Sequence, residues 1–191
     1  MQSKLVYVIE GLDHLGKSTL IEGIKQKLGY FQTIHFSKPE LLSVYRGAVH
    51  SENLSDKASM QLAYQQESFR NSMIMVNSGA RLIYDRWHLG ENVYAPMYRG
   101  YSGSYVFKYE KMHRLDLNSN IRLILLTENF EKSKHFKDDG ESFDITKRRE
   151  EQEMFIKAFD YSIISDKKII CVTADSGDFR PKDEILNDAL N

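Results

Sequence analysis

The sequence predicts an α/β fold: a five-stranded parallel sheet flanked by helices in three layers. Three observations carry that expectation. Five apolar, strand-length runs alternate with segments whose apolar residues recur at helical spacing. No hairpin signal joins any two of the runs, so each return crosses over through a helix. The first run enters a loop with a glycine near each end, and that loop opens directly into a helix.

The elements follow in order. Lys4–Glu10 reads as the first strand because Leu5-Val6-Tyr7-Val8-Ile9 is uninterrupted, apolar and β-branched. A helix then runs to Leu28, with Leu20, Ile21, Ile24 and Leu28 on one face and Gly29 as its stop. Phe31–Phe36 is the second strand, and Pro39 biases Lys38 to extended backbone at its exit. Leu41–Val49 reads as a short helix and Ser51–Lys57 as a polar loop. A long helix spans about Asp56–Ser78, striped by Leu62, Phe69, Met73 and Val76. Arg81–Tyr84 is the third strand and terminates on Asp85-Arg86-Trp87. Gly90–Arg99 and about Tyr105–Leu117 read as helical, with a glycine-rich turn between them. Ile121–Thr127 is the fourth strand. Glu128 to about Asp144 is charged and reads as a mobile segment. A helix covers about Ile145–Ile164, with Phe155, Ala158, Phe159 and Ile163 on one face. Lys168–Thr173 is the last strand, Asp175–Pro181 a loop and Asp183–Leu190 a terminal helix.

Bulk composition narrows the function classes. The 191 residues suit one domain with a sizeable core. A net charge of −1 points away from a duplex-DNA or membrane-surface partner. A single cysteine, Cys171, rules out a disulfide framework and fits a reducing compartment. No signal peptide and no membrane-length apolar run is read, so the expectation is cytoplasmic. The six histidines lack metal-ligand spacing.

The loop after the first strand is Gly11-Leu12-Asp13-His14-Leu15-Gly16-Lys17-Ser18, which fits G-x-x-x-x-G-K-[ST]. Glycines let the backbone turn with its N–H groups pointing inward. Those groups, with the positive end of the following helix, attract phosphate oxygens. Lys17 adds a cation for the β/γ-phosphates, and Ser18 offers a hydroxyl to Mg²⁺. The fold class is therefore the P-loop NTPase fold. Ligands of such sheets gather beyond the carboxyl ends of the strands. Three strand exits deliver the P-loop, Lys38 and Asp85-Arg86 to that one rim.

Ile9-Glu10-Gly11-Leu12-Asp13-His14-Leu15-Gly16-Lys17-Ser18-Thr19 closely resembles the thymidylate kinases, whose P-loop reads E-G-[LV]-[DE]-x-x-G-K-[ST]-T. Leu82-Ile83-Tyr84-Asp85-Arg86-Trp87 is similar to that family's D-R-[YHS] motif, and Val172-Thr173-Ala174-Asp175-Ser176 to its loop beside adenine. The resemblance implies γ-phosphoryl transfer from ATP, with Mg²⁺, to a deoxynucleoside 5′-monophosphate. It implies one P-loop kinase domain with a lid at about 128–149, and a homodimer. Gly11, His14, Leu15, Gly16, Lys17, Ser18 and Thr19 would hold the donor, with Asp175 beside its adenine. Lys17 and Arg86 would neutralise the phosphates. Asp85 would orient Arg86 or hold Mg²⁺ through water, together with Ser18. By the same resemblance Asp13 would touch the acceptor's 3′-hydroxyl and the neighbouring arginine, and Tyr94 its deoxyribose. Lys38, a cation at a strand exit, suits the acceptor's phosphate, and among the chain's aromatics Phe69 is read as stacking its base.

The chain departs from the family at three places. His14 stands where one branch has arginine and another glycine, so catalytic charge must come from the segment containing Arg148 and Arg149. The family's base-contacting arginine aligns with Gln65 by ungapped counting and with Arg70 by local similarity. Trp87 replaces Tyr, His or Ser and adds an apolar wall near the acceptor.

Rival readings stay open. A deoxynucleoside kinase would phosphorylate a neutral hydroxyl and profit from a carboxylate base before the proline after strand two, where this chain has Lys38. A kinase acting on a modified base in DNA and a non-catalytic nucleotide-binding regulator are more distant. The N-K-x-D of guanine-binding switches is absent.

Overall fold

The computed structural model describes residues 4–36, 54–134 and 145–191. Its five strands are β1 Val6–Gly11, β2 Gln32–His35, β3 Leu82–Asp85, β4 Ile121–Thr127 and β5 Lys167–Cys171. They form one sheet in the order β2-β3-β1-β4-β5, and every pairing is parallel. All residues of β1 and β4 are buried, which is why these two strands read as largely apolar runs, broken by a charge only at Glu10 near the end of β1 and Arg122 near the start of β4. The edge strands β2 and β5 are partly exposed and shorter than their apolar patterns.

The helices are α1 Lys17–Leu28, α2 Leu54–Val76, α3 His88–Tyr94, α4 Tyr105–Met112, α5 Arg148–Tyr161 and α6 Lys182–Leu190. They form two groups: α1 packs with α6, while α3 packs with α4 and α5, and α4 with α2. The predicted stripes are buried. Leu20, Ile21 and Ile24 turn inward on α1, Phe69, Met73 and Val76 on α2, and Phe155, Ala158 and Phe159 on α5. Ile163 is not part of that face. The helix ends at Tyr161, Ser162 turns extended at ψ 136, and Ile164 is the residue that enters the core.

Two helices end earlier than their patterns suggest. The reading of Gly90–Arg99 as one helix becomes α3 followed by a π-helical turn, Ala95–Arg99. Pro96 lacks an N–H and its ring would clash with the preceding turn, and the wider turn accommodates it. The Tyr105–Leu117 segment breaks after Met112, because Arg114 sits at φ 52, and a 3₁₀ turn Leu115–Leu117 follows. The predicted helix Leu41–Val49 lies outside the described residues, as do Lys38 and residues 135–144 of the charged segment.

Buried polar groups tie the layers together. Glu110 on α4 is fully buried and binds His88 Nε2 at 2.5 Å. It also accepts from Ser162 Oγ at 2.6 Å and from the Ile163 amide at 2.9 Å. Burial pushes its carboxyl pKa up, but His88, Ser162 and Ile163 outweigh burial and hold it below the ordinary carboxylate value. At the opposite end of the sheet from the P-loop, Arg122 of β4 donates to Asp166 at 3.0 Å and to the Ala189 carbonyl at 2.9 Å. Lys4 reaches the same Asp166 at 2.8 Å.

Gly11 closes β1 against β4. Its φ is 130, and a Cβ there would stand 2.4 Å from the Leu126 carbonyl oxygen. Gly11→Ala is expected to destabilise the fold by about 1–3 kcal/mol through overpacking alone, read as a lower urea midpoint.

Candidate functional site

The P-loop runs between the end of β1 and the start of α1. His14 and Gly16 both take left-handed backbone, at φ 66 and φ 82, and so bend the loop around its own amides. Lys17 opens α1 and turns its ammonium back into the loop. Nζ donates to the Leu12 carbonyl at 2.6 Å and to the Gly11 carbonyl at 3.1 Å, and lies 3.8 Å from Asp13 Oδ1. The side chain is only 7% exposed. Burial pulls its pKa down to about 8, against the pull of the Asp85 and Glu10 carboxylates upward, and nearby Arg148 lowers it further.

That depressed value has a measurable consequence. Phosphate oxygens against Nζ favour the ammonium form and raise its pKa. From about pH 8 upward, nucleotide binding must therefore take up a proton, and affinity must fall as pH rises. Calorimetry at pH 8.5 in buffers of different ionisation enthalpy is expected to report net proton uptake that Lys17→Met removes.

The second strand exit, at the end of β3, carries Asp85-Arg86. Arg86 is left-handed, at φ 63, and its amide donates to the Ile9 carbonyl at 2.9 Å. Its guanidinium Nη2 binds Asp13 Oδ1 of the P-loop. Arg86 Nε is buried with no partner among the described residues. Asp85 Oδ2 meets His35 Nδ1 at 3.0 Å, while Oδ1 is buried without a partner among the described residues.

Glu10 holds this corner in place, a role the sequence reading did not assign. It is the last residue of β1 before Gly11 and is fully buried. Its Oε1 accepts from the amides of Trp87 and Leu89, both at 2.9 Å. It thus caps the N-terminus of α3 from the neighbouring strand. Burial raises its carboxyl pKa, and His88 and the amides of Leu89 and Trp87 offset part of that rise. The one available signal was an acid inside an otherwise apolar strand.

Arg148, the first residue of α5, is 7% exposed and reaches the same turn. Its Nη2 donates to the Asp13 carbonyl at 2.9 Å, and its Nε to Glu128 Oε1 at 2.6 Å. Arg149 is not brought there. It is exposed and lies over the Phe130 ring, 5.4 Å from the centroid. The structure therefore separates the two arginines that sequence reasoning treated together.

On the acceptor side, Gln65 and Phe69 share the buried face of α2, and Arg70 lies on the exposed one. Phe69 stacks on Phe36 with centroids 5.0 Å apart. Of the two candidates for the base-contacting position, Gln65 is the one that faces inward. Tyr94 ends α3, 8% exposed, packed edge-on to Phe155. Burial raises its phenol pKa. Trp87 lies in the core. It is 1% exposed, stacks on Tyr84 and donates Nε1 to Ser72 Oγ at 2.7 Å, so it supports the Asp85-Arg86 corner from beneath.

A groove of about 690 Å³ starts at the outer face of the P-loop and follows α1. His14, Gly16, Ser18 and Thr19 line its mouth, and Gln26, Phe179 and Leu186 its far part. Leu15 is buried beneath it. Asp175 is not in the lining. It is fully exposed and pairs with Lys132 at 2.7 Å. Phe179, a residue the motif comparison passed over, comes into the groove because Thr173 and Phe179 close the hairpin as an antiparallel bridge. No cluster of three His, Cys, Asp or Glu side chains suited to a metal occurs among the described residues, and no described helix is long and apolar enough to cross a membrane.

No protein-family model matches the chain, and no curated protein sequence does. Solved structures do. The chain is similar to a thymidylate kinase from Candida albicans at 17% identity and a TM-score of 0.59, over 97% of this chain and 88% of that one. It is similar to the YorR protein from Bacillus subtilis, solved in complex with phosphorylated GDP, at 16% identity and a TM-score of 0.58, over 96% and 92%. A thymidylate kinase from Ehrlichia chaffeensis gives 14% identity and a TM-score of 0.58, over 97% and 96%. The likeness runs the length of the chain and is one of fold: five parallel strands around a P-loop, flanked by helices.

Proposed function

We propose that this chain is an ATP-dependent phosphotransferase that moves the γ-phosphoryl group of ATP to a deoxynucleoside 5′-monophosphate. The acceptor we favour is dTMP or a related pyrimidine nucleotide, and the role is dNTP synthesis. One observation carries the reading. Arg86 and Arg148, from two separate stretches of the chain, converge on Asp13, whose Oδ1 lies 3.8 Å from the Lys17 ammonium. A protein that only holds a triphosphate needs the loop amides and Lys17. Further cations at the same turn suit a second anionic group facing the first.

The residues divide the work accordingly. The amides of the P-loop and Lys17 hold the donor phosphates, and the groove along α1 takes the donor nucleoside. Arg86, with a spare buried Nε, binds the acceptor phosphate. An oxygen of that phosphate attacks the γ-phosphorus, the bond to the β–γ bridging oxygen breaks, and ADP leaves. The attacking oxygen is already anionic, so no general base is required. Tyr94 contacts the sugar, and Phe69 with Gln65 lies at the base. Lys38 and Arg149 stay part of the proposal, at the acceptor phosphate and the lid.

Mg²⁺ fits the residues present. Asp85 Oδ1, buried and without a partner among the described residues, and the Ser18 hydroxyl are hard oxygen donors. When bound there, the ion would neutralise charge on the donor phosphates. We extend the same reading to a homodimer in the cytoplasm, with nucleotides rather than nucleic acid as its partners.

A coupled ADP-release screen over deoxynucleosides and their monophosphates, purines included, tests the proposal. Turnover with dTMP or dUMP and none with thymidine is expected. Turnover only with nucleosides would move the assignment to a 5′-hydroxyl kinase. ATP-induced thermal stabilisation with no turnover on any acceptor would leave a nucleotide-binding regulator.

A further inference from the structure

We infer that Glu128 is a positioning residue that mounts Arg148 over the P-loop, so that the extra cation comes from the body of the fold. The inference rests on the phosphotransfer reading and goes beyond it. His14 leaves the P-loop without an arginine of its own, and the usual alternative is a cation carried in on a lid. Here Glu128 and Arg148, the two ends of the segment expected to form a lid, are both buried and paired with each other, so the cation is already seated at the P-loop.

Glu128 is the first residue past β4, and its side chain is 5% exposed. Oε1 accepts from Arg148 Nε at 2.6 Å, which fixes the plane of the guanidinium. Nη2 then reaches the Asp13 carbonyl at 2.9 Å. The backbone that carries this carboxylate is itself braced. Gln152, one helical turn beyond Arg148 on α5, accepts from the Glu128 amide at 2.8 Å and donates to the Glu128 carbonyl at 2.9 Å. The sheet and α5 are thereby locked at the point where the arginine departs.

Burial makes this arrangement consequential. A buried guanidinium keeps its position only where its donors are met, and loss of one partner of a buried pair lets the other swing toward water. Lys17 feels the result, since Arg148 lies near enough to lower its pKa. Glu128 does not touch the transferred group. It acts by keeping Arg148 at the turn where the donor's terminal phosphate would lie.

The test is a double-mutant cycle with Glu128→Gln, Arg148→Ala and the double variant. Glu128→Gln keeps the shape and one acceptor oxygen, and Glu128→Asp, with a shortened carboxylate, serves as a second probe. Two readouts are used: the ratio of ATP to ADP affinity by calorimetry, and kcat against KM in ADP release. Glu128→Gln is expected to lower kcat about tenfold or more, with KM for both nucleotides changed less than about threefold, and to shrink the ATP/ADP ratio. The double variant is expected to be no worse than Arg148→Ala alone, because both changes remove one interaction. Losses that multiply in the double variant, or an unchanged ATP/ADP ratio in Glu128→Gln and Glu128→Asp, would overturn the inference. Should the parent turn over no acceptor, the phosphotransfer reading fails, while the affinity cycle still decides whether Glu128 acts through Arg148.

Discussion

Arg86→Ala is expected to cut ADP release by about 10²–10³-fold while the protein stays folded, and Arg86→Gly to lose as much activity yet be the more stable of the two. The reason is that this residue serves two demands that conflict. Its guanidinium belongs at Asp13. Its backbone, at φ 63, lies in a region that disfavours any side chain with a Cβ. Alanine keeps the backbone cost and discards the cation. Glycine discards both, relieving about 1–2 kcal/mol of left-handed strain and giving back about 0.4–1 kcal/mol through a freer unfolded chain. Arg86→Gly should thus unfold at a urea midpoint above that of Arg86→Ala by the equivalent of about 0.5–1 kcal/mol. Near-normal turnover in either variant would remove the acceptor-phosphate assignment. A lower midpoint for glycine would show that the corner is not strained.

Lys17→Ala is the second large effect. Loss of turnover by at least about 10²–10³-fold is expected, with stability changed by no more than about 1 kcal/mol. Two terms oppose each other in the folded state. Nζ satisfies the carbonyls of Gly11 and Leu12, which would otherwise face a desolvated loop. Against that, the ammonium is itself desolvated, as its low pKa records. The sign with pH follows from the same shift. The unfolded chain holds this proton up to about 10.5 and the folded one only to about 8, so the native state gains stability between those values as pH rises. Lys17→Ala should lack that gain, which urea titrations at pH 7.5 and pH 9.5 would resolve.

Much of this architecture is legible in the sequence. Strands buried on both faces announce themselves, and β1, β3 and β4 did so through Val6–Ile9, Leu82–Tyr84 and Ile121–Leu126. The P-loop and the Asp85-Arg86 corner were readable because each follows such a strand. What sequence could not supply was the direction of individual side chains at element ends. Arg148 and Arg149 are neighbours in the chain, yet one turns to Asp13 and the other to Phe130. The hundred-degree step between helical neighbours decides that, and it depends on where α5 begins. By its loop alone Asp175 is expected beside the donor's adenine; the fold pairs its carboxylate with Lys132 and brings Phe179 of the same loop to the groove. Trp87 was readable as large and apolar, though its place beneath the corner depends on Tyr84 and Ser72 from other elements.

Glu10 sets a limit on how freely this sequence can drift. A single oxygen closes two amides across a strand boundary, at Trp87 and Leu89, and no other described side chain accepts from them. Replacement by leucine would strand both donors in a dry interior, whereas the surface of α1 or α6 can change with little penalty. Among chains that share this topology at under a fifth identity, position 10 is where an acceptor should persist after most other resemblance has eroded.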